Sequence, residues 1–448
     1  MKKYSNLLCT SAIVLGIGLC LSIMTSCEGP EGLAGKDGQD ANETCKICHS
    51  PSVVDAISVQ YELAKHSYGE AAFEEAGSTT CGPCHLSEAF KYVVKNNTPV
   101  TFRDTATGGR PSKYINEYYV AANAAYGEIS CFTCHSSLHT TYDSTDFSPL
   151  TTTAAVPLSM WKGTKTVDLQ QDGGSSNLCV KCHQPRPFTA SSKDGNVLDY
   201  ASFVTAPGTI FYDSTANATT NKLVPGYRTH THYGTVGAIY AGVGGIEFSG
   251  SASYSNSPHT TLASCSDCHQ AAMTGKAGGH TFVAKGNFNG CNVSGCHSTS
   301  PITTNSTTKW KTPRTSTQNL IKALAAKLKQ GGIEIMNKNP DTEANLWAAL
   351  GVGNYDGYLN VYDPVNNPNG PTNNTSGQFR NASPSSSWTT AQKAYNSSLP
   401  KLTLKNVQMG AIINFQMCLR EYSLGIHNGA YTTALLQNSI DALTLAGF

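Results

Sequence analysis

The chain has no surplus of charge: 31 lysines and arginines stand against 30 aspartates and glutamates in 448 residues. A near-neutral polypeptide excludes the basic, phosphate-tracking surface that a nucleic-acid partner requires. Long apolar runs are scarce too. After the one from Leu7 to Met24, no stretch is long enough to cross a bilayer. Spare cysteine is the third shortage. Of 16 cysteines, Cys9 and Cys20 lie in the apolar run, Cys27 follows it, and twelve fall in spaced motifs. Only Cys418 is left, so counting excludes a disulfide framework.

Lys2 and Lys3 ahead of the apolar run make the charged start and hydrophobic centre of an export signal. The run ends in Met24-Thr25-Ser26-Cys27, which resembles a bacterial lipobox and implies a lipid on Cys27. Residues 1–26 are therefore expected to be a lipoprotein signal peptide. The body is expected to be exported and anchored at the outer membrane or cell surface, with the periplasm as the alternative. Residues 27–44 include Gly29-Pro30-Glu31-Gly32 and two further Gly-x-y units. That repeat is far too short for a triple helix and reads as a flexible tether.

Five segments have the form Cys-x-x-Cys-His: Cys45, Cys48 and His49; Cys81, Cys84 and His85; Cys131, Cys134 and His135; Cys179, Cys182 and His183; Cys265, Cys268 and His269. This is the attachment motif of c-type haem, in which two thiols bond the haem vinyl groups and the adjacent imidazole reaches the iron. Chance would supply such a match roughly 0.02 times in a chain of this composition, so five are not coincidence. A sixth segment, Cys291, Cys296 and His297, has four residues between its cysteines. It resembles the longer Cys-x4-Cys-His variant of some multihaem cytochromes. Zinc is the rival for Cys-x-x-Cys pairs. The invariable His after the second Cys and the exported compartment speak for six haem c groups instead.

Of 13 histidines, six close these motifs and seven remain: His66, His139, His230, His232, His259, His280 and His427. Six irons with histidine on both faces need six more, so supply exceeds demand by one. His139 follows His135 too closely to reach the opposite face of the same iron, and would serve a neighbouring haem. His230 and His232 alternate, so an extended backbone would aim both to one side. One of them is expected to be a ligand, with His232 preferred. Methionine would raise the reduction potential, but histidine alone suffices. Met160, Met273, Met336, Met409 and Met417 are read as packing residues.

Residues 45–300 form the haem-bearing region, and 301–448 hold no further motif. Helices are expected over 53–76, 316–330, 342–350, 403–422 and 429–446, with a Pro- and Gly-rich loop over 360–387. The fold class is mainly α with extensive irregular loops, organised around haem. Gly278-Gly279-His280-Thr281-Phe282 looks like the Gly-His-Thr-Phe segment that supplies a distal ligand in many multihaem cytochromes. The ending, with Gly425-Ile426-His427-Asn428 between two helices, resembles the cytochrome c554 and multihaem nitrite reductase lineage. That resemblance implies that His427 is donated back to a haem and that 301–448 buttress the haem region. Cys418 is expected to be buried packing.

The expected function is electron transfer through six bis-histidine haems, in respiratory or extracellular electron transfer, rather than catalysis. The alternatives are a reductase of nitrogen or sulfur oxyanions, which needs one open iron, and a subunit of a cytochrome filament. Expected partners are other redox proteins or cytochromes, an extracellular acceptor, the membrane through the lipid, and further copies of the chain in an oligomer.

Overall fold

The computed structural model describes residues 51–67, 82–95, 103–104, 114–115, 128–135, 149–150, 152–161, 163–187, 199–213, 230–330, 333–335, 359–361, 390 and 403–448. The protein is mainly α. Its helices are α1 (Ala56–Glu62), α2 (Gly82–His85), α3 (Ser87–Lys95), α4 (Cys131–Cys134), α5 (Ser175–Cys182), α6 (Ser202–Thr205), α7 (Val236–Ala241), α8 (His259–Leu262), α9 (Cys265–His269), α10 (Thr312–Gln330), α11 (Asn406–Arg420) and α12 (Gly429–Leu445). Strands are short. β1 (Arg103–Asp104) pairs with β2 (Tyr114–Ile115), and β3 (Val156–Pro157) with β4 (Thr166–Val167). β5 (Ile210–Asp213) pairs with β8 (Thr403–Lys405), and β6 (Ile333–Ile335) with β7 (Leu359–Val361). All four pairs are antiparallel. Among the described residues no helix is long and apolar enough to cross a membrane.

The long helices near the C-terminus carry the core. α10, α11 and α12 pack on one another, and every residue of α11 from Asn406 to Arg420 is buried. A helix buried all round must satisfy its polar side chains internally. Asn414 does so by bonding the Ile246 backbone both ways, at 2.7 and 2.8 Å, and donating to Ser439 Oγ. α12 starts at Asn428, whose side chain accepts from Tyr431 N–H and Ser257 N–H and donates to the Tyr240 carbonyl. One apolar cluster therefore joins Val156, Leu158, Ile239 and Ile246 to Ile321, Phe415 and Leu435. Cys418 is fully buried within it, as are Met160, Met409 and Met417.

Several boundaries differ from the sequence expectation. The helix expected over 403–422 begins at Asn406, because Thr403–Lys405 is drawn into pairing with Ile210–Asp213. α10 begins at Thr312, earlier than expected, with Pro313 in its first turn where a missing N–H costs nothing. In the segment expected to be helical over 53–76, a π turn, Pro51–Asp55, precedes α1 and a 3-10 turn, Lys65–Ser67, follows it. Of the expected loop over 360–387, residues 360–361 lie in β7; the rest lies outside the described residues. So do the expected helix over 342–350, the signal segment, Cys27 and the tether.

Gly410 explains how closely α11 sits. A Cβ there would lie 2.5 Å from Phe248 Cζ and 3.0 Å from Ile246 Cγ2. Gly→Ala at an unstrained helical site stabilises by about 0.4–1 kcal/mol, whereas overpacking costs about 1–3 kcal/mol. Gly410→Ala is therefore expected to destabilise the protein by about 1–3 kcal/mol, read as a lowered denaturant midpoint. A raised midpoint would refute the packing.

Candidate haem-ligand site

Each Cys-x-x-Cys-His segment in the described residues is built on one turn of helix. Residues three apart share a helical face, so in the three segments described in full both thiols project to one side and the histidine follows at the helix end. α2 and α9 end in His85 and His269, while His135 and His183 cap α4 and α5. Capping fixes two of these turns. Ser130 N–H donates to Thr133 Oγ1 at 2.9 Å, and Ser264 N–H donates to Asp267 Oδ2 at 2.7 Å with Asp267 N–H returning to Ser264 Oγ. The longer Cys291–His297 segment closes as turns instead. His297 N–H donates to the Cys291 carbonyl, and Gly295 takes φ +82°, a conformation glycine adopts without steric cost.

Every motif histidine among the described residues faces one histidine from outside the motifs. The ring centres are 6.3 Å apart for His85 and His232, 6.2 Å for His135 and His280, and 6.1 Å for His183 and His66. They are 6.1 Å apart for His269 and His427, and 6.2 Å for His297 and His259. Two imidazoles on opposite faces of one iron, with metal–nitrogen bonds of about 2 Å and about 1.1 Å from nitrogen to ring centre, stand roughly 6.2 Å apart. The five separations match that span. Among the described residues, no three His, Cys, Asp or Glu side chains converge on a common point; the imidazoles come in facing pairs. His49 and His139, with Cys45, Cys48 and Cys81, lie outside the described residues.

His230 and His232 do not take the alternating extended form expected. His232 has φ +70°, and its ring stacks parallel to that of His230 at 6.3 Å. Only His232 faces a motif histidine. His230 Nδ1 accepts from the His232 N–H at 3.0 Å and lies 2.9 Å from the buried Arg420 Nη1.

Burial favours the neutral form of several rings, the form that binds metal. Burial, with His66, His269, His427 and His85 nearby, pushes His183 down to about 4. Burial, with Arg186, His85 and Arg420, pushes His232 down to about 3. Burial also lowers His66, His269 and His280. Hydrogen bonds fix several second nitrogens. His269 Nδ1 meets the Phe282 carbonyl at 2.9 Å and His259 Nδ1 the Ile426 carbonyl at 3.0 Å. A proton on Nδ1 leaves the Nε2 lone pair free for a metal.

The motifs also touch one another through their thiols. Cys182 Sγ lies 3.8 Å from the Cys84 carbonyl, and the two thiols are in hydrogen-bond reach. The Cys179 thiol reaches Cys265, whose backbone N–H donates to Ser176 Oγ. That thiol contact, outweighing burial, draws Cys265 down to about 7. Cys134 is near enough to both Cys179 and Cys182 to raise their thiols, and Cys291 and Cys296 act likewise on Cys268. The segment at Cys179–His183 is thus the junction of three others, and the segment at Cys291–His297 adjoins only that at Cys265–His269 among the described residues.

Sequence reasoning missed the residues that hold this cluster together. Phe282 sits 5.0 Å from His66 and 5.9 Å from His280 while its carbonyl takes His269. Gln60 Oε1 accepts from the His280 N–H at 3.0 Å and ties α1 to that segment. Glu421, fully buried, contacts His427 Nδ1 at 2.6 Å. Comparison of the chain with protein families, with curated proteins and with solved structures finds no match.

The buried neutral histidines set an acid limit. Their unfolded value is near 6.5 and their folded values lie well below it, at about 4 for His183 and about 3 for His232. The unfolded chain therefore binds more protons as pH drops. Their contribution to stability is complete above pH ~6.5 and is lost as pH falls through the folded values. The denaturant midpoint at pH 5 should lie below that at pH 7.5, and an equal or higher midpoint would contradict neutral burial.

Proposed function

We propose that this chain is a hexahaem c-type cytochrome that carries electrons between bis-histidine haems. The observation that carries this reading is the spacing of 6.1–6.3 Å between each described motif histidine and one partner histidine from elsewhere in the chain. The thiols would hold the macrocycles covalently. Axial pairs would be His85 with His232, His135 with His280, His183 with His66, His269 with His427 and His297 with His259. Of the three histidines left over, His230 meets Arg420, and His49 and His139 would complete the set.

Iron porphyrin, when bound, supplies a one-electron couple, and axial histidine on both sides favours a lower potential than a methionine ligand does. The chain's own residues bring five described histidine pairs into one structure, and burial keeps His66, His183, His232, His269, His280 and His297 toward the neutral form. Thiol contacts between Cys84 and Cys182 and between Cys179 and Cys265 support a path from the segment at His85 through that at His183 to that at His269, with the segments at His135 and His297 near enough to extend it. The last site has the most open surroundings: His259 and Cys296 are exposed, and Lys309 Nζ lies 3.4 Å from His297 Nδ1. Electrons would enter or leave there, to another redox protein or an extracellular acceptor. With two histidines available to hold each of the five described irons, transfer is favoured over the reductase alternative, which would need an open site. Because the five described pairs form within one chain, none of those five needs a histidine from a neighbouring subunit. The leader and Cys27 support a lipid-anchored location at the cell envelope.

The direct test is the intact mass and absorbance of protein matured with cytochrome c assembly machinery. Six haem additions, a Soret band and wholly low-spin ferric spectra are expected; a polypeptide-only mass ends the proposal. Substitution separates the two neighbouring histidines. His232→Ala should give one high-spin haem that binds cyanide, while His230→Ala should leave six low-spin haems. The reverse outcome would reassign the ligand.

A further inference from the structure

The ring of His427 is held differently from the other described histidines whose second nitrogen meets oxygen. His269 and His259 meet neutral backbone carbonyls. His427 Nδ1 meets a carboxylate, Glu421 Oε2, at 2.6 Å, and that side chain is fully buried. An isolated buried carboxylate is costly, so its surroundings are informative. Ser423 Oγ donates to the same Oε2 at 2.6 Å, and the Gly425 N–H donates to Oε1 at 2.8 Å. Both carboxylate oxygens of Glu421 thus have hydrogen-bond partners, the arrangement that favours a buried carboxylate in its charged form.

The backbone around it is strained to make this contact. Tyr422, Leu424 and Gly425 have φ of +63°, +59° and +85°, and bulky residues rarely accept the left-handed region. A Cβ on Gly425 would lie 2.6 Å from Thr317 Oγ1, so α10 closes the loop from outside. His427 N–H is taken by Ser423 Oγ at 3.0 Å. Every link in the loop turns one imidazole toward His269 and one carboxylate onto that imidazole.

We propose that Glu421 lowers the reduction potential of the iron held between His269 and His427, by polarising the His427 Nδ1–H bond from a buried site. A carboxylate behind a metal-bound histidine makes the imidazole a stronger donor, and a stronger donor with a nearby negative charge favours the oxidised iron. Glu421 is thus a positioning and tuning residue, one bond removed from the metal. The inference rests on the bis-histidine reading of the site, and the two fail separately.

Redox titration of the holoprotein, followed by optical and electron paramagnetic resonance spectra, tests it. Wild-type protein lacking haem by mass would overturn the functional reading itself. With six haems in place, Glu421→Gln keeps the shape and removes the charge. One of six couples should move upward by at least tenfold in its oxidised-to-reduced ratio, about 59 mV for one electron, with all haems still low-spin. Six unchanged couples would overturn the proposal. If Glu421→Gln fails to mature, Ser423→Ala decides. Removing a competing donor from Oε2 strengthens its pull on His427, so one couple should move downward, and an unmoved set would again overturn the assignment.

Discussion

The structure depends on the meeting of histidines that are far apart in sequence. His66 meets His183, His85 meets His232, His135 meets His280, and His269 meets His427. These contacts cross one another along the chain, so no stretch of the haem-motif region forms its geometry alone. They gather short helices and loops that could bury little apolar surface by themselves. Neutrality is the condition for the arrangement. Six imidazoles with depressed basicity can share a small volume, whereas six imidazolium ions would repel one another.

The apolar core plays the complementary part. It lies mainly in α10, α11 and α12 and reaches back to Val156, Ile239 and Ile246. Its polar members are sutures: Asn414 closes on the Ile246 backbone, and Asn428 joins the start of α12 to Tyr240 and Ser257. Residues 301–448 therefore share one core with the region that carries the motifs. His427 hangs from this rigid part, which is why the loop before it can sustain unfavourable backbone angles.

Much of this was legible in the residues, and the reasons are local. The Cys-x-x-Cys-His spacing names a helical turn with two thiols on one side, and the three segments described in full adopt that turn. The ends of α12 follow from Asn428 as a cap and the apolar run after it. The preference for His232 over His230 matches the contact with His85, although the expected geometry was different: the backbone at His232 is left-handed rather than extended. Pairings between histidines could be counted but not assigned, because each depends on chain crossings that no local pattern encodes. The burial of Glu421 and the contacts of Phe282 with His66 and His269 were illegible for the same reason. A lone glutamate after an apolar helix looks like a solvated end, and only the returning loop makes it a buried partner. The start of α11 was misplaced because helix propensity cannot anticipate the pull of a distant strand.

The position of His427 bears on how such a protein is completed. The segment at Cys265–His269 emerges well before its partner, which sits at the base of the last helix. Until α12 has docked, the iron there would have only one imidazole and an open face. A chain that stops short, or whose final hairpin is slow to seat, would carry a reactive centre in the middle of its conduit. With haem bound as proposed, the terminal helix pair would be a seal on the cofactor row, and its arrival would mark the moment when the molecule ceases to be chemically exposed.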